Sequence, residues 1–295
     1  MITLLLPDFL LILLGYALRR SSFRDDSFWQ GMEQFIYYVL FPPLLFNAVS
    51  RAPLDMAQSG PMLLAGLLFT LGGLLLGYAA RWLVQASPAA LNSGTQCAYR
   101  FNTYVGLAII GGLHGQQGIA AFAVLVGLLI PLVNLVAILQ LTQGQGNRIW
   151  RELLGNPLII AIALGLCWNL NEWSLPGWLH HGMGLLAGAA LPLGLITVGG
   201  ALRLAAWRGA PWLVAWWSVV KLLLLPLLAV ACCRLLGVTG VYYQAALVLA
   251  CLPSATTAYI LAVRLGSDGQ LVAATITATT LGAMLTVPLN LALWG

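Results

Sequence analysis

From Met1 to Gly295 the chain is a succession of apolar runs, each close to the length of a membrane-crossing helix, joined by short polar stretches. A transmembrane helix takes about 20 apolar residues, because a rise of about 1.5 Å per residue must cover about 30 Å of hydrocarbon. Only 7% of the residues are charged and 61% are hydrophobic; a soluble domain carries about 25% charged residues. Thirteen Lys and Arg with eight Asp and Glu are too few to cover a globule of this size in water. The pattern predicts an all-α integral membrane protein.

Spans are expected near 2–18, 33–50, 60–84, 95–113, 117–141, 152–170, 182–202, 210–236, 243–264 and 269–294. Met1–Leu18 has no basic n-region and no A-x-A site, so it reads as a retained first span rather than a signal peptide. Ten spans put both termini on one side. With that side outside, the inner loops and span ends carry Arg19, Arg20, Arg24, Arg81, Arg100, Arg148, Arg151, Arg203, Arg208 and Arg264, against Arg51 and Arg234 outside. The positive-inside rule therefore favours termini outside the cytoplasm. The net charge of +5 sits in these scattered arginines, a topology signal rather than a phosphate-binding stripe, and no nucleic-acid partner is expected. Cys97, Cys167, Cys232, Cys233 and Cys251 lie in or beside apolar segments without a CxxC or a nearby His. They read as small core residues, with no disulfide, metal or cofactor expected.

The chain also repeats itself. Pro7 and Gly15 recur as Pro157 and Gly165, Pro42 as Pro192, and Pro61 as Pro211, each 150 residues later. Gly115-Gln-Gln-Gly118 recurs as Gly266-Ser-Asp-Gly269 at an offset of 151. Residues 1–147 and 148–295 thus read as two repeats of five spans. An odd number of spans inverts the second repeat relative to the first. Many secondary carriers are built this way, with the substrate held near the midplane where the halves meet.

Spans four and nine correspond, and both look interrupted: Cys97-Ala-Tyr-Arg-Phe-Asn-Thr-Tyr-Val-Gly106 and Ala250-Cys-Leu-Pro-Ser-Ala-Thr-Thr-Ala258. At the 151 offset Asn102 stands opposite Pro253. A mid-span Pro deletes a backbone hydrogen bond, and an Asn side chain can substitute for a lost partner. Helix breaks are therefore expected at Asn102, Gly106 and Pro253. Irregular backbone at membrane depth survives only where it lines a cavity or is buried in protein. Asn102, Thr103, Pro253, Ser254, Thr256 and Thr257 are accordingly candidates for substrate binding, and half-helix N-termini there favour an anion. The competing reading is a plain kink capped by Ser and Thr. Lys221, deep in span eight, either attracts the anion or bonds structurally to carbonyls, since a charge in hydrocarbon is costly. Arg100 either guides anions to the site or snorkels to the interface.

Asp8, Glu33 and Glu152 stand at span ends and no span has a mid-depth carboxylate, so the simplest carrier has no acidic coupling group. Asn47, Asn134, Thr197, Asn290 and the Thr275, Thr279, Thr286 series read as polar glue between helices. His180 and His181 near Glu172 have no metal-ligand spacing.

Several ordered motifs resemble the auxin efflux carrier family, which includes plant PIN carriers and bacterial relatives. They are Pro7-Asp-Phe-Leu-Leu-Ile-Leu-Leu-Gly-Tyr16, Tyr38-Val-Leu-Phe-Pro-Pro-Leu-Leu-Phe46, Arg100-Phe-Asn-Thr-Tyr-Val-Gly106 and Leu191-Pro-Leu-Gly-Leu195 with Gly199-Gly-Ala-Leu202. Lys221 with Pro226 and Leu252-Pro-Ser-Ala-Thr-Thr-Ala-Tyr259 complete the set. The resemblance implies ten helices in two inverted repeats, a fold shared with bile-acid and sodium/proton carriers, with spans four and nine crossing at their broken centres. It implies a scaffold of spans one, two, six and seven, an elevator motion of the rest, and an organic anion as cargo. Asn102 falls on the first crossover's Asn and Pro253 on the second crossover's Pro. Unlike plant members, the chain lacks a long central hydrophilic loop and breaks span four at Asn rather than Pro. The resemblance thus implies a compact bacterial member of the inner membrane, with a homodimer through the scaffold helices.

The expected function is transport of a small organic anion, uncoupled or weakly coupled, by a chain that is not an enzyme. A sodium-coupled symporter on the same fold is the alternative. A membrane enzyme would need clustered acid, base or nucleophile groups at one depth, and there is no HExxH, GxSxG or intramembrane acid pair. A sensor would need an output domain that the short loops do not provide.

Overall fold

The computed structural model of the protein describes residues 2–51, 56–83, 86–142, 155–202, 210–264 and 267–295. Arg148, Arg151, Glu152, Arg203, Arg208 and Gly266, used above, lie outside the described residues. Every regular element among the described residues is a helix. In the first half these are α1 (Ile2–Ser21), α2 (Asp26–Phe35), a π-helical turn (Ile36–Leu40), α3 (Phe41–Ser50), α4 (Met56–Tyr78), α5 (Ala80–Leu83), α6 (Pro88–Tyr99) and α7 (Thr103–Thr142). In the second they are α8 (Pro157–Leu170), α9 (Gly177–Gly200), α10 (Pro211–Val219), a π-helical turn (Val220–Leu224), α11 (Leu225–Leu235), α12 (Gly240–Cys251), α13 (Thr257–Arg264) and α14 (Gly269–Trp294).

Among the described residues five stretches are long and apolar enough to cross a membrane: Ala57–Leu83, Pro88–Leu141, Gly177–Gly200, Pro211–Leu235 and Gly269–Trp294. Leu10, Leu75, Leu164, Leu235 and Leu285 point outward. Such side chains are costly in water and at home against lipid. The protein is a multi-pass membrane protein. The second stretch holds two of the expected spans, because Gly115 interrupts α7 with φ of 55° and ψ of −143°. Positive φ is cheap only for glycine, so the chain bends there.

Several helices begin earlier than the apolar runs suggest. Span two was expected from Glu33, yet α2 starts at Asp26. Asp25 caps it, accepting the Ser27 N–H at 3.0 Å, and Trp29 is buried with Nε1–H donating to the Phe23 carbonyl at 2.7 Å. One cap and one aromatic anchor fold a polar stretch that hydropathy reads as a loop. Glu33 is therefore two turns inside a helix.

Two sets of helix contacts stand out, joined through α7, which also packs on α3 and α9. α1 lies along α9, α3 along α8, and α9 also meets α3. The α1–α9 contact is glycine-mediated: a Cβ on Gly199 would come within 1.8 Å of the Ile12 carbonyl oxygen, and one on Gly15 within 1.9 Å of that of Ile196. Small residues let helix backbones approach closely where no solvent drives association. In the other group α4 packs on α6 and α11, α10 on α14, and α12 on α7 and α14. Trp217 fills the space over Gly94 and donates to the Gly77 carbonyl at 3.0 Å, tying α10 to α4 and α6.

Candidate functional site

Both expected interruptions are present. α6 ends at Tyr99 and α7 begins at Thr103, with Arg100–Asn102 non-helical between them. α12 ends at Cys251 and α13 begins at Thr257. The two breaks touch: the Asn102 N–H donates to the Pro253 carbonyl at 3.0 Å. The Ser254 hydroxyl donates to the Cys97 carbonyl, in the last turn of α6, at 2.6 Å.

Asn102 starts α7 as the sequence suggested. Its Oδ1 accepts from the N–H groups of Tyr104 at 3.1 Å and Val105 at 3.4 Å, and its carbonyl accepts from Gly106 N–H at 3.1 Å. One side chain thus satisfies donors that a helix start leaves open. Its Nδ2, buried, has no hydrogen-bond partner among the described residues. Gly106, expected as part of the interruption, instead lies inside α7 with its neighbours in helical geometry. A Cβ there would meet the Phe122 ring at 2.3 Å, so close packing, not a break, accounts for this glycine.

A cavity of about 180 Å³ opens on the breaks, lined by Arg100, Asn102, Thr103, Tyr104, Asn134, Thr256 and Thr257 among others. Arg100 is only 5% exposed. It turns inward rather than snorkelling: Nη1 donates to Gln96 at 2.8 Å, and Nη2 to Asn134 and to the Thr257 hydroxyl, both at 3.0 Å. Three helices thereby hold one guanidinium at the cavity wall. Asn134, expected as glue, and Gln96, not singled out by the sequence reading, position this cation.

The remaining candidates divide. Pro253 and Ser254 are buried behind the cavity and hold the second break, where the Thr279 hydroxyl accepts the Ser254 N–H at 3.2 Å. Thr256 and Thr257 line the cavity. Lys221 sits in the second π-helical turn, fully buried, with no hydrogen-bond partner for Nζ among the described residues, and lines none of the three cavities at the breaks. A π-turn widens the helix locally and often marks a functional position. The Asn290 amide crosses from α14 to the Leu222 carbonyl at 3.2 Å, bracing that turn.

Two more cavities adjoin the breaks. One of about 440 Å³ is lined by Gln30, Glu33, Gln34, Tyr37, Tyr104, Tyr259 and neighbours. Another of about 110 Å³ lies between Arg19, Asp26, Glu33, Thr197 and Thr256. Glu33 borders both, and its Oε1 accepts from the Thr256 hydroxyl at 3.4 Å. A sequence reading that placed Glu33 at a span end missed this acid. Among the described residues no three His, Cys, Asp or Glu side chains cluster as a metal site. Cys97, Cys233 and Cys251 are buried as expected, whereas Cys167 faces outward and Cys232 is half-buried.

With this geometry in place, the comparisons with known proteins fall into line. The profile of a family described as membrane transport protein matches residues 145–291. An uncharacterized transporter of Methanothermobacter thermautotrophicus is 26% identical over 295 residues, covering 95% of this chain and 93% of that protein. The second half of the chain is thus similar to the membrane transport protein family, and the likeness to a transporter runs over nearly its whole length. A second relative, from Rhizobium meliloti, is 27% identical over 300 residues, covering 96% of this chain and 92% of its own, and its name proposes malonate transport. Lys221, Pro253, Ser254, Thr256 and Thr257 lie inside the region matched to the membrane transport protein family, and the whole-length relatives extend the likeness over Arg100 and Asn102.

Proposed function

We propose that the protein is a secondary carrier of a small organic anion, bound where the two broken helices meet. The observation that carries this reading is the donor set around the 180 Å³ cavity: the Arg100 guanidinium, the unpartnered Asn102 amide and the Thr103, Thr256 and Thr257 hydroxyls. Guanidinium and amide donors match a carboxylate, and charge-assisted hydrogen bonds are the strong ones. The relative whose name proposes malonate transport supports a dicarboxylate cargo. Ten spans in two inverted repeats, 1–147 and 148–295, agree with the correspondence of α6, break and α7 with α12, break and α13.

In this reading the α1, α3, α8 and α9 group is the scaffold, through which two copies associate. The group carrying both breaks moves against it as an elevator, exposing the site to either side. The 110 Å³ cavity beside the site reaches the end of the molecule that carries Arg19 and Asp26; with that end cytoplasmic by the positive-inside rule, this cavity supports an inward-facing state in the inner membrane, termini periplasmic. Reconstituted protein is expected to give capacitive currents on a supported membrane with one of malonate, malate, lactate or indole-3-acetate. The current should disappear in Asn102→Ala and Pro253→Ala. Currents that persist in both variants would reject this site, and silence of the folded wild type towards all four would reject the anion class tested.

A further inference from the structure

We propose that Glu33 is a proton-binding group whose protonation favours anion binding at the adjoining breaks, making anion binding proton-linked. The inference rests on the substrate site proposed above and adds a second ligand, the proton, to it. Glu33 stands on α2, on the side of α9, whereas its hydrogen-bond partner Thr256 belongs to the second break. Thr256 also lines the cavity that holds Arg100, so the carboxylate is separated from the anion's place by a single side chain.

Like charges repel strongly where little water screens them. An ionised Glu33 therefore opposes an incoming carboxylate, and a proton on its oxygen removes the opposition. The contact with Thr256 survives the change with its roles reversed: the carboxylate accepts from the hydroxyl, and the carboxylic acid donates to it. Other groups around Glu33 do not supply a fixed countercharge. On α1, Arg19 is paired with Asp26 of α2. The first π-helical turn, α7 and α13 present Tyr37, Tyr104 and Tyr259, and α9 and α14 present Thr197, Ala201, Ala273 and Ile276. Coupling is reciprocal: if a proton tightens anion binding by some factor, the anion tightens proton binding by the same factor.

Malonate binding to the reconstituted wild type is measured from low to high pH, with a pH-indicator dye reporting protons taken up. Infrared difference spectra follow the carboxylic C=O band. The expected result is about one proton taken up per malonate, an affinity falling up to about tenfold per pH unit above the titration of Glu33, and a C=O band that grows with malonate. In Glu33→Gln the band is absent and the affinity no longer changes with pH; Glu33→Asp restores the pH dependence. Malonate binding without proton uptake overturns the inference while leaving the anion site standing, as does a pH dependence retained in Glu33→Gln. Wild type that binds none of malonate, malate, lactate and indole-3-acetate overturns the site itself, and this inference with it.

Discussion

The two helix breaks do the same job by different chemistry. At the first, the chain leaves helical geometry for Arg100–Asn102 and re-enters it under its own control, since Asn102 caps α7 with its side chain. At the second, Pro253 has no N–H to give, and the stretch before α13 is held by hydroxyls from elsewhere: Thr279 of α14 accepts the Ser254 N–H, and Ser254 reaches back to Cys97. An Asn break is satisfied locally and a Pro break needs neighbours. The charges also divide, with a cation at the first break and an acid facing the second. The first break is thus suited to hold the anion, and the second to sense what surrounds it.

Arg100 is where this comparison breaks most easily. Arg100→Gln removes the cation yet keeps a polar, though shorter, side chain. A hydrogen bond to a charged group is worth about 1.5–3 kcal/mol, which corresponds to about 10- to 100-fold in affinity. Malonate affinity of the reconstituted variant should fall by that factor. Glu33→Gln, at the other break, should not lower it at high pH. Equal losses in both variants would mean that the two breaks do not divide the charges as argued.

The second contrast concerns stability. Thr279→Val keeps the shape and removes the hydroxyl, leaving the buried Ser254 N–H without its acceptor. An orphaned buried donor costs about 1–3 kcal/mol. The unfolding temperature of the purified protein should drop in Thr279→Val and recover in Thr279→Ser. An unchanged unfolding temperature in Thr279→Val would show that the second break satisfies itself after all.

Much of this arrangement was legible in the sequence, and the exceptions have physical causes. The paired breaks could be read because Asn102 and Pro253 stand at one offset and each disrupts a helix by a known route. The bend at Gly115 was legible as a polar, glycine-flanked turn. Glu33 was misplaced because hydropathy sums over a window, whereas α2 is started by one cap and one buried Trp. The direction of Arg100 was open because two of its three partners, Asn134 and Thr257, lie 34 and 157 residues away on other helices. Neither π-helical turn has a residue signature of its own, so the turn holding Lys221 was not foreseen.

The finest test of the local break is Asn102 itself, where cap and ligand can be separated. Asp caps a helix about as well as Asn, whereas Ala does not cap, at a cost typically near 1 kcal/mol. Asn102→Ala should therefore lower the unfolding temperature modestly, and Asn102→Asp should leave it near that of the wild type. Towards the anion the order reverses the usual logic of conservative change. Asp introduces a carboxylate at the cavity wall, where it competes with the substrate for Arg100, and it removes the Nδ2 donor that has no partner among the described residues. A stable Asn102→Asp protein that no longer binds malonate would assign the amide to the anion. If Asn102→Asp binds malonate like the wild type, the first break is a structural cap alone, and the difference between the two breaks is one of folding rather than of recognition.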